Sequence, residues 1–495
     1  MDITAAFREL TKFIESNQEF LIINSNGKAF ALKSAEFEKT IERGRILITF
    51  LDDSGYQTWR ILALEQKENE LILDLAKNFE TEHEKLRIIP RIAPENITAE
   101  VEAARIEKAN ETASILESSV SGVKTLQVRL NKQNGRFAQI TFQKNSTFLA
   151  ALSDITESAA PEILISNVVF WLLKLENRKK NPIFEVWIIA EKRSARALQK
   201  LSAVLTERWK NKIRIFAIAG ESGSKKIEEK GALKISDLWR EKPAVLKLAK
   251  TSNLSRTARE IIKFSENEID CVSMQSGESL RFLGLRFARV RRMFESEKCW
   301  FGIERERRIL SEKSFDDFEK LIADMKLYRT ANSPYKRHEF YRAAPEAWLE
   351  AILRKNIKLL DANVVLSPIY NQFRAANDKI DLLALRRDGR LVIIELKVSP
   401  DREMIYQAAD YWRKIELQRR KGVLQKAKVF GDLEIADKPA IVYLVAPSLG
   451  FHPDLLFLAK TVAPDIEIYR FDIGENWREN VKVLRREKLC GNEIL

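Results

Sequence analysis

The chain has 495 residues, 45% hydrophobic and 31% charged, which excludes a disordered or fibrous protein and exceeds one ordinary domain, so three or four domains are expected. No window approaches the roughly 18 uncharged apolar residues of a membrane helix, and the opening MDITAAFREL has an acid where a secretory signal has an apolar core. The formal net charge of +13 suits a polyanionic partner, nucleic acid above all, without identifying one.

Cys271, Cys299 and Cys490 are far apart and lack metal-ligand spacing, so a reducing cytoplasm is expected rather than a disulfide framework. The histidines, His83, His338 and His452, are as scattered and argue against a histidine metal site.

In chain order, residues 1–95 are expected to form a small β-rich domain. FLIINSNGKAFAL sets an Asn-Gly turn between apolar runs, and GRILITFLDDSGYQTWRILAL reads as a second hairpin. ITAEVEAARIEKANETASIL reads as a connecting helix. Residues 96–240 form an α/β domain. They run from strand RFAQITF to helix ILISNVVFWLLKLENRKK, strand FEVWIIA, helix SARALQKLSAVLTERWK and strand IRIFAIA. That alternation predicts a largely parallel sheet covered by helices. Residues 241–335 are mixed, with a strand-like basic and aromatic run and the helix FDDFEKLIADMKLYR. Residues 336–495 open with the helix EAWLEAILRKNIKLLD. The hairpin KIDLLALRRDGRLVIIELK follows, then helix MIYQAADYWRKIELQRR, strand AIVYLVA, helix PDLLFLAKTVA and strand IEIYRFDI. Trp171 falls where Trp412 does in two helix–strand–helix–strand runs, the pattern of a duplicated unit.

The last hairpin places Asp381, Glu395 and Lys397 in runs otherwise suited to a covered sheet. Residues two apart on a strand share a face, so Glu395 and Lys397 are neighbours. The turn decides whether Asp381 joins them. A two-residue loop at Asp388-Gly389 would set Asp381 opposite position 396. A three-residue loop Arg387-Asp388-Gly389, with Gly389 in the left-handed region, sets it opposite Glu395, and this register is expected. Paired carboxylates form a hard-oxygen site suited to Mg²⁺ or Mn²⁺. A lysine beside them can position a water or neutralise developing charge. An exposed Glu–Lys pair would mean little, but LVIIEL is apolar on both faces, and buried charge needs a reason. In the following helix, Ser399 is a candidate N-cap with Pro400 at the first helical position. Gln407 and Tyr411 share a face, as do Glu346 and Glu350 in the preceding helix.

Ile380-Asp381, Glu395-Leu396-Lys397 and an upstream helical glutamate resemble the PD-(D/E)XK nuclease superfamily. Gln407-x-x-x-Tyr411 is similar to the motif of its RecB-like exonuclease branch and repair-nuclease relatives. The resemblance covers about residues 345–475, with Ile380 in place of the proline that names the family. It implies a restriction-endonuclease-like fold, a mixed central sheet flanked by helices, and Mg²⁺-dependent cleavage of DNA, RNA being less usual. Asp381 and Glu395 would ligate metal with Glu350, or else Glu346, in support. Lys397 would orient the attacking water, and Gln407 and Tyr411 would position the backbone. Residues 120–240, without Glu-x-Lys, are then expected to be a degenerate second copy, with Ser166 in the place of Gln407 and Phe170 in that of Tyr411.

Residues 281–308 hold nine basic and four acidic side chains interleaved with aromatics. Alternation assigns the aromatics to a core face and leaves Arg286, Arg289, Arg291 and Arg292 as candidate phosphate ligands. The expectation is a cytoplasmic, metal-dependent DNA nuclease of repair or defence. Cleavage of both strands of a duplex would favour a homodimer. The alternative is a catalytically inactive nucleic-acid-binding protein that retains the fold.

Overall fold

The computed structural model describes residues 2–490 apart from 18, 28, 53–54, 68–69, 78–81, 91–93, 133–134, 158, 221–224, 244–253, 275–276, 294–295, 304–307, 367–373, 376–377 and 380. At 35, 51–52, 55–57, 94–97, 292–293, 296, 374–375 and 378–379 it describes the backbone alone. Contacts divide the chain into two compact units, residues 1–199 with 211–231, and 200–210 with 232–495.

The first unit opens on a helix, α1 (Ile3–Ser16), that the β-rich expectation did not include. Its start is capped by Asp2 Oδ1, which accepts from the amides of Thr4 (3.0 Å) and Ala5 (3.2 Å). Ala6, Leu10, Phe13 and Ile14 follow the helical period and bury their side chains among Phe20, Ile22, Ile46 and Ile48. The strands are β1 (Glu19–Asn24), β2 (Ala29–Lys33), β3 (Glu38–Glu42), β4 (Arg45–Asp52), β5 (Gly55–Lys67), β6 (Glu70–Lys77) and β7 (Glu82–Pro90). They form one antiparallel sheet, ordered β2-β1-β7-β6-β5-β4-β3.

Helix α2 (Pro94–Ser119) leads into a second sheet of β8 (Val123–Leu130), β9 (Phe137–Lys144), β10 (Thr147–Asp154), β11 (Val186–Glu191), β12 (Ile213–Ala219) and β13 (Lys226–Lys230), in reverse sequence order. α3 (Pro161–Glu176) and α4 (Lys192–Ser202) make the crossovers on either side of β11. The largely parallel sheet expected here is corrected. Only β10–β11 and β11–β12 are parallel, and β8–β9, β9–β10 and β12–β13 are antiparallel. Asn145 adopts a φ of 55°, and a two-residue turn folds β9 straight onto β10, with Lys144 opposite Thr147.

In the second unit, the helix expected over 194–210 ends early. After α4 the chain forms only a short α5 (Glu207–Lys210). Between them Leu205 bridges Val462, and the Thr206 amide donates to the Thr461 carbonyl at 2.8 Å. Long-range backbone pairing outweighs local propensity there. α6 (Ile235–Leu238) and α7 (Arg256–Ile262) precede a five-stranded antiparallel meander. Its strands are β14 (Ile269–Met274), β15 (Gly277–Phe282), β16 (Leu285–Met293), β17 (Ser296–Phe301) and β18 (Arg308–Ile309). Phe282, Phe287, Val290 and Phe301 pack against Ile261 of α7 and against Phe318, Ile322 and Met325 of α8 (Phe315–Tyr328).

Arg329, directly after α8, ties this meander to the helices that follow, α9 (Glu339–Arg342) and α10 (Pro345–Lys355). Its guanidinium is fully buried and pairs with no carboxylate among the described residues. It donates instead to the carbonyls of Phe282 (3.1 Å), Phe340 (2.7 Å), Ala343 (2.6 Å), Leu283 (2.8 Å) and Ala344 (3.4 Å), and its Cζ lies 4.6 Å from the Trp348 ring centre. Leu283 and Ala344 have φ of 43° and 40°, a left-handed backbone that costs a non-glycine residue about 1–2 kcal/mol. Their carbonyls are held by this one side chain. At Gly284 an added Cβ would lie 2.0 Å from the Ala347 carbonyl oxygen, so the β15–β16 turn sits directly on the first turn of α10.

The final sheet comprises β19 (Val364–Leu366), β22 (Leu382–Arg386), β23 (Leu391–Leu396), β24 (Ile441–Pro447), β25 (Glu467–Ile473) and β26 (Val483–Cys490), in that order. A short ribbon, β20 (Arg374–Ala375) with β21 (Asp378–Lys379), precedes β22. α11 (Met404–Arg420) and α12 (Val423–Lys426) lie between β23 and β24, and α13 (Leu455–Ala459) between β24 and β25. β23–β24 and β24–β25 are parallel and the other pairs antiparallel. The second and last sheets therefore share strand order, strand direction and a helix at each parallel crossover. The chain is multidomain and of mixed α/β content, with four sheets of five to seven strands and one two-stranded ribbon among the described residues.

Replacing Arg329 by Met keeps the length and removes every donor. About five carbonyls would lose their partner, and the variant should lose on the order of 3–5 kcal/mol, read as a lower urea midpoint. An unchanged midpoint would deny Arg329 its role as the clamp on α10.

Candidate active site

The turn between β22 and β23 sets the site. The ladder pairs Leu382 with Ile394 and Leu385 with Leu391, and beyond it Arg386 N donates to Arg390 O at 2.8 Å. Three residues, Arg387, Asp388 and Gly389, remain as the loop, with Gly389 at φ 77°. Arg386 Nε donates to Asp388 Oδ1 at 2.9 Å, and the same oxygen accepts from the Arg390 amide at 3.2 Å, which locks the turn. Carried one step past Leu382, this register sets Asp381 opposite Glu395.

Asp381 is half-buried just before β22, and its Oδ2 accepts from the Leu396 amide at 2.9 Å, which fixes the carboxylate against the end of β23. Glu395 is 2% exposed. Lys397 Nζ lies 3.2 Å from Glu395 Oε1 and 3.3 Å from Asp401 Oδ2. Burial, then the charge of Asp381, pushes the Glu395 carboxyl well above the usual range against the pull of Lys397, and Glu346 adds to the rise. Burial opposes the charge on Lys397, but Glu395, Asp401 and Glu346 outweigh it and raise its pKa. Lys397 is therefore a fixed cation and has no free pair to act as a base. Burial and the neighbouring Asp401 push Glu403 up to about 7.

The third acid belongs to α10. Glu346 is half-buried in its first turn, and its charge acts on both Glu395 and Lys397. Glu350 is one turn on and 2% exposed. Gln407 and Tyr411 are half-buried on α11, which packs against β23 and β24. Gln407 Oε1 is buried with no hydrogen-bond partner among the described residues. Ile380 lies outside the described residues.

The expected N-cap at Ser399 is corrected: α11 begins at Met404, with Glu403 at its cap. Asp401 intervenes, accepting from the Glu403 amide at 2.7 Å while pairing with Lys397. That tether holds residues 398–403 out of helix. Asp401 is the site residue that sequence reasoning missed. Its spacing of four from Lys397 was the available signal, but without a helix over those residues the spacing had no meaning.

Glu395 Oε2 is buried and has no hydrogen-bond partner among the described residues, although a second carboxylate is beside it. A buried carboxyl oxygen without a donor disfavours the charged form, and a hard divalent cation that keeps several waters would fit an adjacent pair of carboxylates. They do not form a closed cage, because among the described residues no three His, Cys, Asp or Glu side chains are gathered as a ready-made metal shell.

The meander carries the basic residues in two ways. Arg286 is exposed and Arg289 and Arg291 are half-buried, while the side chain of Arg292 lies outside the described residues. Opposite the aromatic core face, Ser279, Arg281, Arg289, Arg291 and Trp300 line a cavity of about 870 Å³ whose wall includes Ala347 of α10.

No protein-family model matches the chain, and no curated protein matches it. One solved structure, described as "Structure of EndoMS-dsDNA2 complex", aligns with 39% of this chain and 87% of that chain at 13% identity, with a TM-score of 0.15. A likeness that slight carries no inference about fold or activity.

The raised pKa of Glu395 has a sign. In the metal-free protein the folded state holds this proton to higher pH than the unfolded chain, so the group costs stability increasingly as pH rises above about 4.3, the unfolded carboxyl value. Glu395→Gln should therefore be more stable than the parent in EDTA at pH 8, with the gap closing toward pH 4. Melting temperatures across that range check it; a gap independent of pH would place the proton elsewhere.

Proposed function

We propose that the protein is a metal-dependent nuclease whose active site is built on β22 and β23. The observation that carries this reading is the convergence of Asp381 and Glu395 at one end of a buried hairpin, with one Glu395 oxygen left without a donor among the described residues and a fixed cation at the other. Such a pair destabilises the resting protein unless a ligand compensates it, and the compensating chemistry is that of Mg²⁺ or Mn²⁺. When bound, that ion polarises a phosphate oxygen and acidifies a water.

The protein's own groups divide the remaining work. Asp381, held by the Leu396 amide, and Glu395, held by Lys397, present two oriented carboxylates. Lys397 stays protonated and so orients a water or balances the negative charge that grows on the phosphate. We assign the supporting acid to Glu346 rather than Glu350, because its charge is felt by both Glu395 and Lys397. At two carboxylate ligands, its role is to hold a water rather than to complete a cage. Gln407, with an amide oxygen lacking a donor, and Tyr411 are assigned to the substrate backbone.

DNA is the substrate we assign, on the basic charge of the chain and on the cavity of Arg281, Arg289, Arg291 and Trp300 in the same unit as the acid pair. Guanidinium groups bind phosphates, and an indole can stack on a base.

Lys397→Ala should lower Mg²⁺-dependent cleavage of plasmid and oligonucleotide DNA by about 10³-fold, the size of losing one preorganised charge in an active site, while binding of the same DNA in EDTA stays within about twofold. Cleavage at the parent rate by the variant would contradict the assignment.

A further inference from the structure

The second sheet repeats the last strand for strand, and its counterpart of the acid pair has a different composition. Asp381 stands one residue before β22; Arg136 stands one residue before β9. Glu395 lies near the C-terminal end of β23; Asp154 ends β10. In place of two repelling carboxylates, this sheet has an ion pair, Arg136 Nε to Asp154 Oδ1 at 3.2 Å and Nη2 to Oδ2 at 3.3 Å. Asp154 also accepts from the Thr156 hydroxyl (2.7 Å), the Thr156 amide (3.1 Å) and the Ala159 amide. With its lone pairs committed to five donors, it has no capacity for a cation.

What remains there is positive charge. Glu102, Arg105, Arg129, Asn131, Lys132 and Gly135 line a cavity of about 760 Å³ between α2 and the β8–β9 hairpin. An added Cβ at Gly135 would stand 3.4 Å from Arg105 Nη1, so the turn lets the guanidinium approach its backbone. Burial and the charge of Arg136 lower the pKa of Arg105, and Asp154 only partly opposes them. Arg178, at the end of α3, is lowered in the same way by burial and by Arg129. Arg105 and Arg129 thus line one opening together with exposed Lys132, and each has a second guanidinium, Arg136 or Arg178, close enough for their charges to interact. Neither Arg129 nor Lys132 is ion-paired among the described residues. Like charges held together oppose folding unless an anion joins them. Cations spread over α2, the β8–β9 hairpin and the end of α3 match a chain of phosphates better than a single one.

We propose that this cavity binds the phosphodiester backbone of a nucleic acid directly, without a metal ion, through Arg105, Arg129 and Lys132. The second sheet keeps the topology of the last and has exchanged a metal-binding end for an anion-binding one. This site does not depend on cleavage at the last sheet.

The test uses the full chain in EDTA and fluorescence anisotropy of a labelled single-stranded oligonucleotide and its duplex across a salt series. Arg129 and Lys132 are exposed, so the R129E/K132E double variant should fold with a melting temperature no lower than that of the parent. It should bind about tenfold or more weakly at low salt, with the slope of log affinity against log salt shallower by roughly 1–2. Affinity and slope equal to those of the parent would overturn the proposal. Inorganic phosphate, titrated at constant ionic strength, should leave the parent complex intact. Displacement from the parent but not from R129E/K132E would assign the cavity to a free phosphate and overturn the nucleic-acid reading. Cleavage is no part of this readout, so failure of the nuclease assignment would leave the test standing.

Discussion

Two carboxylates brought to the same end of a covered hairpin repel one another and lose their water, and everything around Asp381 and Glu395 manages that cost. The Leu396 amide takes one oxygen of Asp381, Lys397 takes one oxygen of Glu395, and Asp401 holds Lys397 in turn. Glu395 Oε2 is left without a donor among the described residues. Hydrogen bonding within the protein thus orients the acids without neutralising them. Such a site stores unfavourable charge, which under the proposed function a divalent cation relieves.

The fold secures this arrangement at two removes. Gly389 in the left-handed region closes a three-residue loop, and a loop shorter by one residue would send Asp381 to the other face of the sheet. Farther off, Arg329 binds five carbonyls and fixes the seat of α10, from which Glu346 projects its charge onto Glu395 and Lys397. A rigid helix origin matters because a charge acting through space loses effect quickly as it moves away.

The hairpin register was legible because turn chemistry is local: Asp388-Gly389 between apolar runs admits few loops, and one of them pairs the acids. The span of α11 was legible from its helix formers up to the left-handed Gly422. What escaped was set by partners distant in sequence. The helix expected over 194–210 breaks where Leu205 meets Val462. α11 starts at Met404 rather than after Ser399 because Asp401 is tethered to Lys397. The antiparallel half of the second sheet was missed because β10 (TFLAALSD) lacks period-two alternation, β13 (KIEEK) is mostly charged, and the short alternation of β8 went unread, whereas β11 and β12 are short apolar runs that stand out. Spacing alone does not decide between Glu346 and Glu350; the resemblance put Glu350 first, and the preference for Glu346 belongs to the proposed function, on its charge acting on Glu395 and Lys397.

The second and last sheets offer an internal comparison. Common strand order and direction keep the same two strand ends adjacent in both, yet one pair of ends carries Asp381 with Glu395 and the other Arg136 with Asp154. On the proposed function, position in the sheet does not by itself make a cation site; an uncompensated acid does. The most direct measurement is a crystal soaked in Mn²⁺ and recorded at an energy where manganese scatters anomalously. The account predicts an anomalous peak at coordination distance from both the Asp381 and the Glu395 carboxylates and none beside Asp154. A crystal saturated with Mn²⁺ that shows no peak between Asp381 and Glu395 would contradict it.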